Sequence, residues 1–271
     1  MQLLSNTNFD FIKWRWHAIA LSVAIILAGG AFMYSRGGMP LGIDFSGGTI
    51  VVLKFDQAVS EDQVRNAVLS IPGEKVVQAY GNPGENQVLI RLPQTGREEG
   101  VTFEEGARHV VTAVQAAGIG KFDVLSTEVV GPVIGADLQR RGIFATIASV
   151  FGIAAYIALR FRPSFAAGAI VATLHDILVT LAFLAFFGYE LSLNIVAALL
   201  TITGYSVNDT IVIFDRVREN AGKMRREGLE TTVNTSVNQT LSRTIITAGT
   251  TFLAVFALYL FGGETLEGFA F

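Results

Sequence analysis

The chain has 271 residues, of which 51% are hydrophobic and 16% charged, and a mean hydropathy of +0.49. A soluble domain carries roughly a quarter charged residues, so this composition excludes a single water-soluble domain and points to a membrane protein. A formal charge of only −3 gives no global field for nucleic acid or an acidic partner, and the lack of cysteine excludes disulfides, thiolate chemistry and cysteine-ligated metals.

A leader over 1–16 carries Lys13 and Arg15 ahead of the first apolar run, 17–34. That run ends in the small residues "AGGA", as a secretory signal does. The leader is long, however, contains Asp10 and precedes four further apolar runs, which predicts a membrane anchor. The further runs are 142–159, 165–187, 191–214 and 245–261. Each approaches the roughly 20 residues that cross a hydrocarbon core, so five spans are expected.

Between the first two runs, 35–137 reads as a separate domain. "TIVVLKF" (49–55) predicts a strand, "SEDQVRNAVLS" (60–70) a helix capped by Ser60, and "KVVQAY" (75–80) and "NQVLIRL" (86–92) two strands about the turn "GNPGE". "FEEGARHVVTAVQAAG" (103–118) predicts a helix and "KFDVLSTEVVG" (121–131) a last strand. The order β-α-β-β-α-β predicts an α+β ferredoxin-like sandwich, with helices on one face of an antiparallel sheet.

Lys and Arg in the short connections orient the spans. The leader, the connection with Arg160 and Arg162, and a loop over 215–240 with Arg216, Arg218, Lys223, Arg225 and Arg226 are basic. "GYE" (188–190) and "GGETLEG" (262–268) have no Lys or Arg. The N-terminus and the basic loops are therefore expected in the cytoplasm, and the 35–137 domain outside. Arg140 and Arg141 go against the rule, which binds long translocated loops only weakly.

Polar residues inside the spans are the candidates for function. Asn194, Thr201, Tyr205, Asn208 and Asp209 share one broad face of the fourth run, Arg243, Thr247 and Thr250 a face of the fifth, and Thr173, Asp176 and Thr180 a face of the third. Such faces meet one another or line a wet cavity rather than lipid. Gly168 and Ala172 lead to Asp176 and permit close helix packing. The patterns "NDT", "NTS" and "NQT" match a glycosylation signal by chance. No P-loop pattern occurs, so no nucleotide hydrolysis is expected, and no metal or other cofactor.

"GIDFSGGT" (42–49), "LHD" (174–176), "GYSVNDTIVIFDRVREN" (204–220) and the leader "NFDFIKWRW" (8–16) closely resemble the SecF family of bacterial protein-export subunits, within the RND superfamily of proton-driven membrane proteins. The resemblance implies six spans, so the sixth is expected to be absent from this sequence. It implies a non-enzymatic role in the bacterial cytoplasmic membrane, with SecD, the SecYEG translocon, a translocating unfolded polypeptide and the lipid bilayer as partners and no nucleic acid. It aligns Asp209 and Arg243 with a charged pair that the family is thought to use for proton coupling, with Asn208, Asp176 and His175 beside it. Desolvation favours a neutral Asp209 and a nearby Arg243 favours its carboxylate, so small movements would switch its proton on and off. The bland alternatives are a packing lock for Asp209 and Arg243, an interfacial Arg243, and a core histidine at 175. Gly42, Asp44, Phe45, Gly47, Gly48 and Thr49 read as a structural junction where backbones approach closely. If the outer domain grips client chains, exposed backbone at a sheet edge or a shallow apolar groove is expected to do so, within reach of 49–55 or 121–131. A scaffold for SecD and one half of a small-molecule exporter are the rival functions.

Overall fold

The computed structural model describes residues 7–71, 75–81, 84–93, 103–161 and 163–271. Residues 1–6 of the leader, Asn82 and Pro83 of the "GNPGE" turn, and Arg162 lie outside the described residues. The chain runs α1 (Arg15–Ser35), the single turn α2 (Ile43–Ser46), β1 (Gly48–Phe55), α3 (Glu61–Ala67), β2 (Val76–Tyr80), β3 (Gln87–Pro93), α4 (Phe103–Ala117) and β4 (Phe122–Val130). It continues through α5 (Pro132–Arg160), α6 (Pro163–Phe187), α7 (Leu193–Lys223), α8 (Leu229–Phe261) and α9 (Glu264–Ala270).

Among the described residues, α1, α5, α6, α7 and α8 are long and apolar enough to cross a membrane. Their ends overrun the apolar runs. α5 starts at Pro132, and the expected loop over 215–240 is replaced by helix, because α7 continues to Lys223 and α8 begins at Leu229. The charges taken as loop signals instead pair along the helix: Glu219 accepts from Arg216 at 2.8 Å and from Lys223 at 2.6 Å. Across the helices, the buried Asn220 amide donates to Ser236 Oγ at 2.8 Å and to Gln239 Oε1 at 3.0 Å. α1 crosses α6 where Gly29 meets Ala182, so closely that a Cβ on Gly29 would lie 2.3 Å from the alanine Cβ.

The four strands form one antiparallel sheet in the order β2-β3-β1-β4, with Val51 opposite Ile90 on one side and Thr127 on the other. Its core lies on one face. Val51, Leu53 and Phe55 of β1 and Val88 and Ile90 of β3 pack against Val64 and Val68 of the α3 segment and Val110 and Val114 of α4. Ser60 and Gln63 form a reciprocal capping box that starts α3. The residues 49–55, expected within reach of an edge or groove, form the central strand, because the later strands add on both sides of β1. The edges are β2 and β4, and β4 exposes Val124, Leu125 and Val129.

The sheet is tied to the helix ends by "GIDFSGGT". Gly42 N–H donates to Leu191 O and Leu191 N–H to Pro40 O, both at 2.8 Å, making a parallel bridge between Leu41 and Leu191. Asp44 Oδ2 accepts from Leu193 N–H at 2.9 Å, at the start of α7. Gly47 and Gly48 take φ of 72° and 138°, a region that side chains disfavour. A Cβ on Gly135 of α5 would stand 2.9 Å from Phe45 O, so α5 packs backbone to backbone against α2.

Candidate functional site

The polar faces of α6 and α7 meet within the apolar bundle, whereas Arg243 and Thr250 of the expected α8 face are exposed and Thr247 is half-buried. On α6, Asp176 Oδ1 meets His175 Nδ1 at 2.9 Å, and Asp176 Oδ2 accepts from Ser206 Oγ of α7 at 2.5 Å. Thr180 Oγ1 donates to the Asp176 carbonyl at 2.8 Å. Ser206 thus links the α6 carboxylate to the helix that carries Asp209. It lies within the quoted 204–220 motif, yet only its contact across helices marks it out.

Asp209 is half-buried and Asn208 beside it is exposed. No hydrogen bond or ion pair joins Asp209 to Arg243 or to any other described residue. The close approach of Asp209 and Arg243 is thus not present in this structure. Arg243 instead faces a cleft of about 340 Å³ lined by Tyr156, Arg160, Ile211, Asp215, Glu219 and Thr240, and Asp209 is not among its lining residues. Beside these two residues, Tyr205 Oη and Thr244 Oγ1 are buried without a protein partner. Buried polar atoms are nearly always satisfied, so the Tyr205 phenol and the Thr244 hydroxyl are unusual; Asp209 lies half-buried without a partner among the described residues, while Arg243 is exposed.

A second ionic site lies where the sheet meets the α6–α7 connection. Arg91 of β3 pairs with Glu190, its side chain only 11% exposed, and Arg91 Nε is buried without a partner. Burial pushes the Glu190 carboxyl above its usual range, against the opposing pull of the Arg91 guanidinium. Next to it Tyr189 Oη donates to Glu267 Oε1 of α9 at 2.8 Å. Burial, with the Glu267 carboxylate adding to it, pushes the Tyr189 phenol upward. Tyr189, Glu190 and Glu267 and the face of the sheet away from its helices, through Val52 and Leu89, line a cleft of about 310 Å³.

The leader also finds a place. Asn234 and Asn238 of α8 accept from the backbone N–H of Phe11 and Phe9, each at 2.9 Å, and both amides donate back to Phe9 O. Arg15 and Glu230 pair at 2.9 Å. The asparagines of "NTS" and "NQT" thus clamp the leader, a use that their chance match to a glycosylation pattern concealed.

Residues 109–271 match the family model for the protein export membrane protein SecD/SecF C-terminal region, and residues 37–59 match the SecD/SecF GG motif. The fold and the match together define a multi-pass membrane protein of the protein-export class. The protein translocase subunit SecF of Thermodesulfovibrio yellowstonii is 40% identical, over all of this chain and 89% of that protein. The SecF subunit of Escherichia coli O157:H7 is 36% identical, over 97% of this chain and 80% of that protein. The chain belongs to the SecF family of protein translocase subunits. The crystal structure of SecDF, a translocon-associated membrane protein from Thermus thermophilus, is similar with a TM-score of 0.84 and 32% identity. It covers 98% of this chain, which spans about a third (35%) of that one.

Proposed function

We propose that this chain works beside SecD in the bacterial cytoplasmic membrane and uses the proton gradient to promote passage of unfolded polypeptide through SecYEG. Asp209 carries the proton and Arg243 approaches it in one of two arrangements of α7 and α8, while Asp176, held by His175 and Ser206, senses the same movement through α6. The half-buried Asp209, without a hydrogen bond or ion pair to any described residue, and the buried, unpartnered Tyr205 Oη one turn away carry this reading, since a carboxylate kept unpaired within an apolar bundle serves function more readily than packing. The lack of an ion pair between Asp209 and Arg243 favours this reading over a packing lock. Asn208 flanks the carrier on the exposed side of α7.

The four-stranded sheet with two helices on one face is read as the ferredoxin-like domain, placed outside the membrane. Its strand order, β2-β3-β1-β4 from a β-α-β-β-α-β chain, supports that reading. The excess of Arg and Lys at the opposite ends of the helices supports a cytoplasmic N-terminus. Gly42, Asp44, Phe45, Gly47, Gly48 and Thr49 transmit domain position to α5 and α7 through the contacts made at that junction.

The test is export into inverted vesicles with and without a proton gradient. Asp209→Asn is nearly isosteric and stays neutral, so it should insert and bind SecD normally, keep the export driven by the cytosolic ATPase, and lose the gradient-dependent part. If its export responds to the gradient as the parent's does, Asp209 is not the proton carrier.

A further inference from the structure

At the end of the bundle far from the sheet, a groove of about 840 Å³ opens between the α5–α6 connection, α7 and the start of α8. Arg160, Arg218 and Arg225 line it, together with Phe161, Phe165 and Leu229, and none of its lining residues is acidic. Arg218 makes no hydrogen bond or ion pair with any described residue. Arg225 donates only its Nε, to Gly222 O at 3.2 Å. Arg160 stands 3.6 Å from Asp215 and lies over the Phe161 ring, 5.1 Å from its centroid. Three guanidinium groups thus converge on one concavity with most of their N–H donors unused. Convergent like charges repel one another unless an anion sits among them, and the planar guanidinium fork fits phosphate oxygens in pairs.

The groove is also apolar on one side. Arg160 is the last residue of α5 and directly follows the apolar run 142–159, so the Arg160 side of the groove lies at the level where that helix leaves the hydrocarbon. Leu159 beside it is 91% exposed and Leu229 74%. A ligand that satisfies both halves carries a phosphate and hydrocarbon chains together. We propose that this groove binds an anionic phospholipid, its phosphodiester among Arg160, Arg218 and Arg225 and its acyl chains against Phe161, Phe165 and the adjoining apolar end of α5. The assignment rests on charge complementarity and on the position of the groove at the bundle's basic end. It is independent of proton coupling.

Native mass spectrometry of the delipidated full chain tests it, with phosphatidylglycerol, phosphatidylcholine and inorganic phosphate as probes. Each basic side chain at an anionic lipid surface contributes roughly fivefold in affinity. Phosphatidylglycerol should therefore bind about tenfold or more tighter than phosphatidylcholine. Arg218→Gln together with Arg225→Gln should remove at least about tenfold of that affinity, the corresponding Lys pair should lose less, and Arg226→Gln, outside the groove on the same connection, should change it less than about twofold. The Lys pair keeps the test valid if the Gln pair does not fold. Equal binding of the two lipids overturns the proposal, as does equal loss in Arg226→Gln, which would mark a general charge effect. Displacement of the lipid by millimolar inorganic phosphate would identify a free-anion site instead and overturn it too.

Discussion

Asp44→Ala removes a side-chain hydrogen bond that the "GIDFSGGT" junction makes with the start of α7. Asp44 Oδ2 accepts from Leu193 N–H at 2.9 Å, one of the first-turn donors for which a helix has no internal partner. Ser192 caps a different donor, Ile195 N–H at 3.3 Å, so it does not replace the lost contact. Loss of a capping side chain costs about 0.5–2 kcal/mol, and loss of a negative charge near a helix N-terminus about 0.3–1 kcal/mol. With Ser192 still present, about 1–2 kcal/mol is expected for the first turn of α7, which is roughly 5–30-fold in its opening equilibrium. Amide hydrogen exchange should show Leu193 through Ile195 exchanging faster by about that factor while the middle of α7, around Val207, is unchanged. Asp44→Asn keeps an acceptor and loses only the charge, so its effect should be smaller. Gradient-dependent export should fall in Asp44→Ala, because α7 also carries Asp209. Unchanged exchange at 193–195 would refute the coupling of this junction to α7.

Glu190→Gln should flatten a pH dependence. The folded carboxyl titrates above its usual range, so its contribution to the stability of the junction is fully present below the unfolded glutamate value and is lost as pH rises through the raised folded value; thermal melts should show this slope in the parent and not in the variant. Photocrosslinkers at Val124, Leu125 and Val129 on the β4 edge should capture a translocating chain, while probes at Val51 and Leu53 in the central strand should not; the reverse pattern would sink the edge model. Asn234→Ala with Asn238→Ala should free the leader, read as faster exchange at Phe9 and Phe11 and easier proteolysis before Arg15; unchanged protection would show that Arg15 and Glu230 alone hold it.

The spans could be read from the sequence because a helix in lipid must satisfy its backbone internally, so apolar length alone predicts it. The order of strands and helices could be read as well, since alternation, Ser60 and the glycine turns are local signals. The helix ends could not. Glu219, Arg216 and Lys223 look like loop residues to any hydropathy rule, and only their spacing on a continuing helix, with Asn220 reaching Ser236, keeps them helical. The leader clamp escaped for a related reason: an asparagine that accepts from one backbone N–H and donates to another residue's carbonyl shows no pattern until the two segments, more than 220 positions apart, lie side by side.

For the site, residue type and helical period placed Asp176, Asp209 and Arg243 on polar faces, since period is a property of one helix, but Arg243 is exposed while the two aspartates are half-buried. Whether two such faces bring their charges together depends on how far one helix slides and rotates against the next, and side-chain packing at many distant contacts fixes that. Hence Ser206 emerged only as the partner of Asp176, and the lack of a bond between Asp209 and Arg243 only from the surroundings that the folded helices give each of them. The sequence by itself determined the family, the membrane character and the chemistry available; the tertiary structure decided which of those polar groups meet, because pairing is set by the relative position of helices that no local pattern encodes.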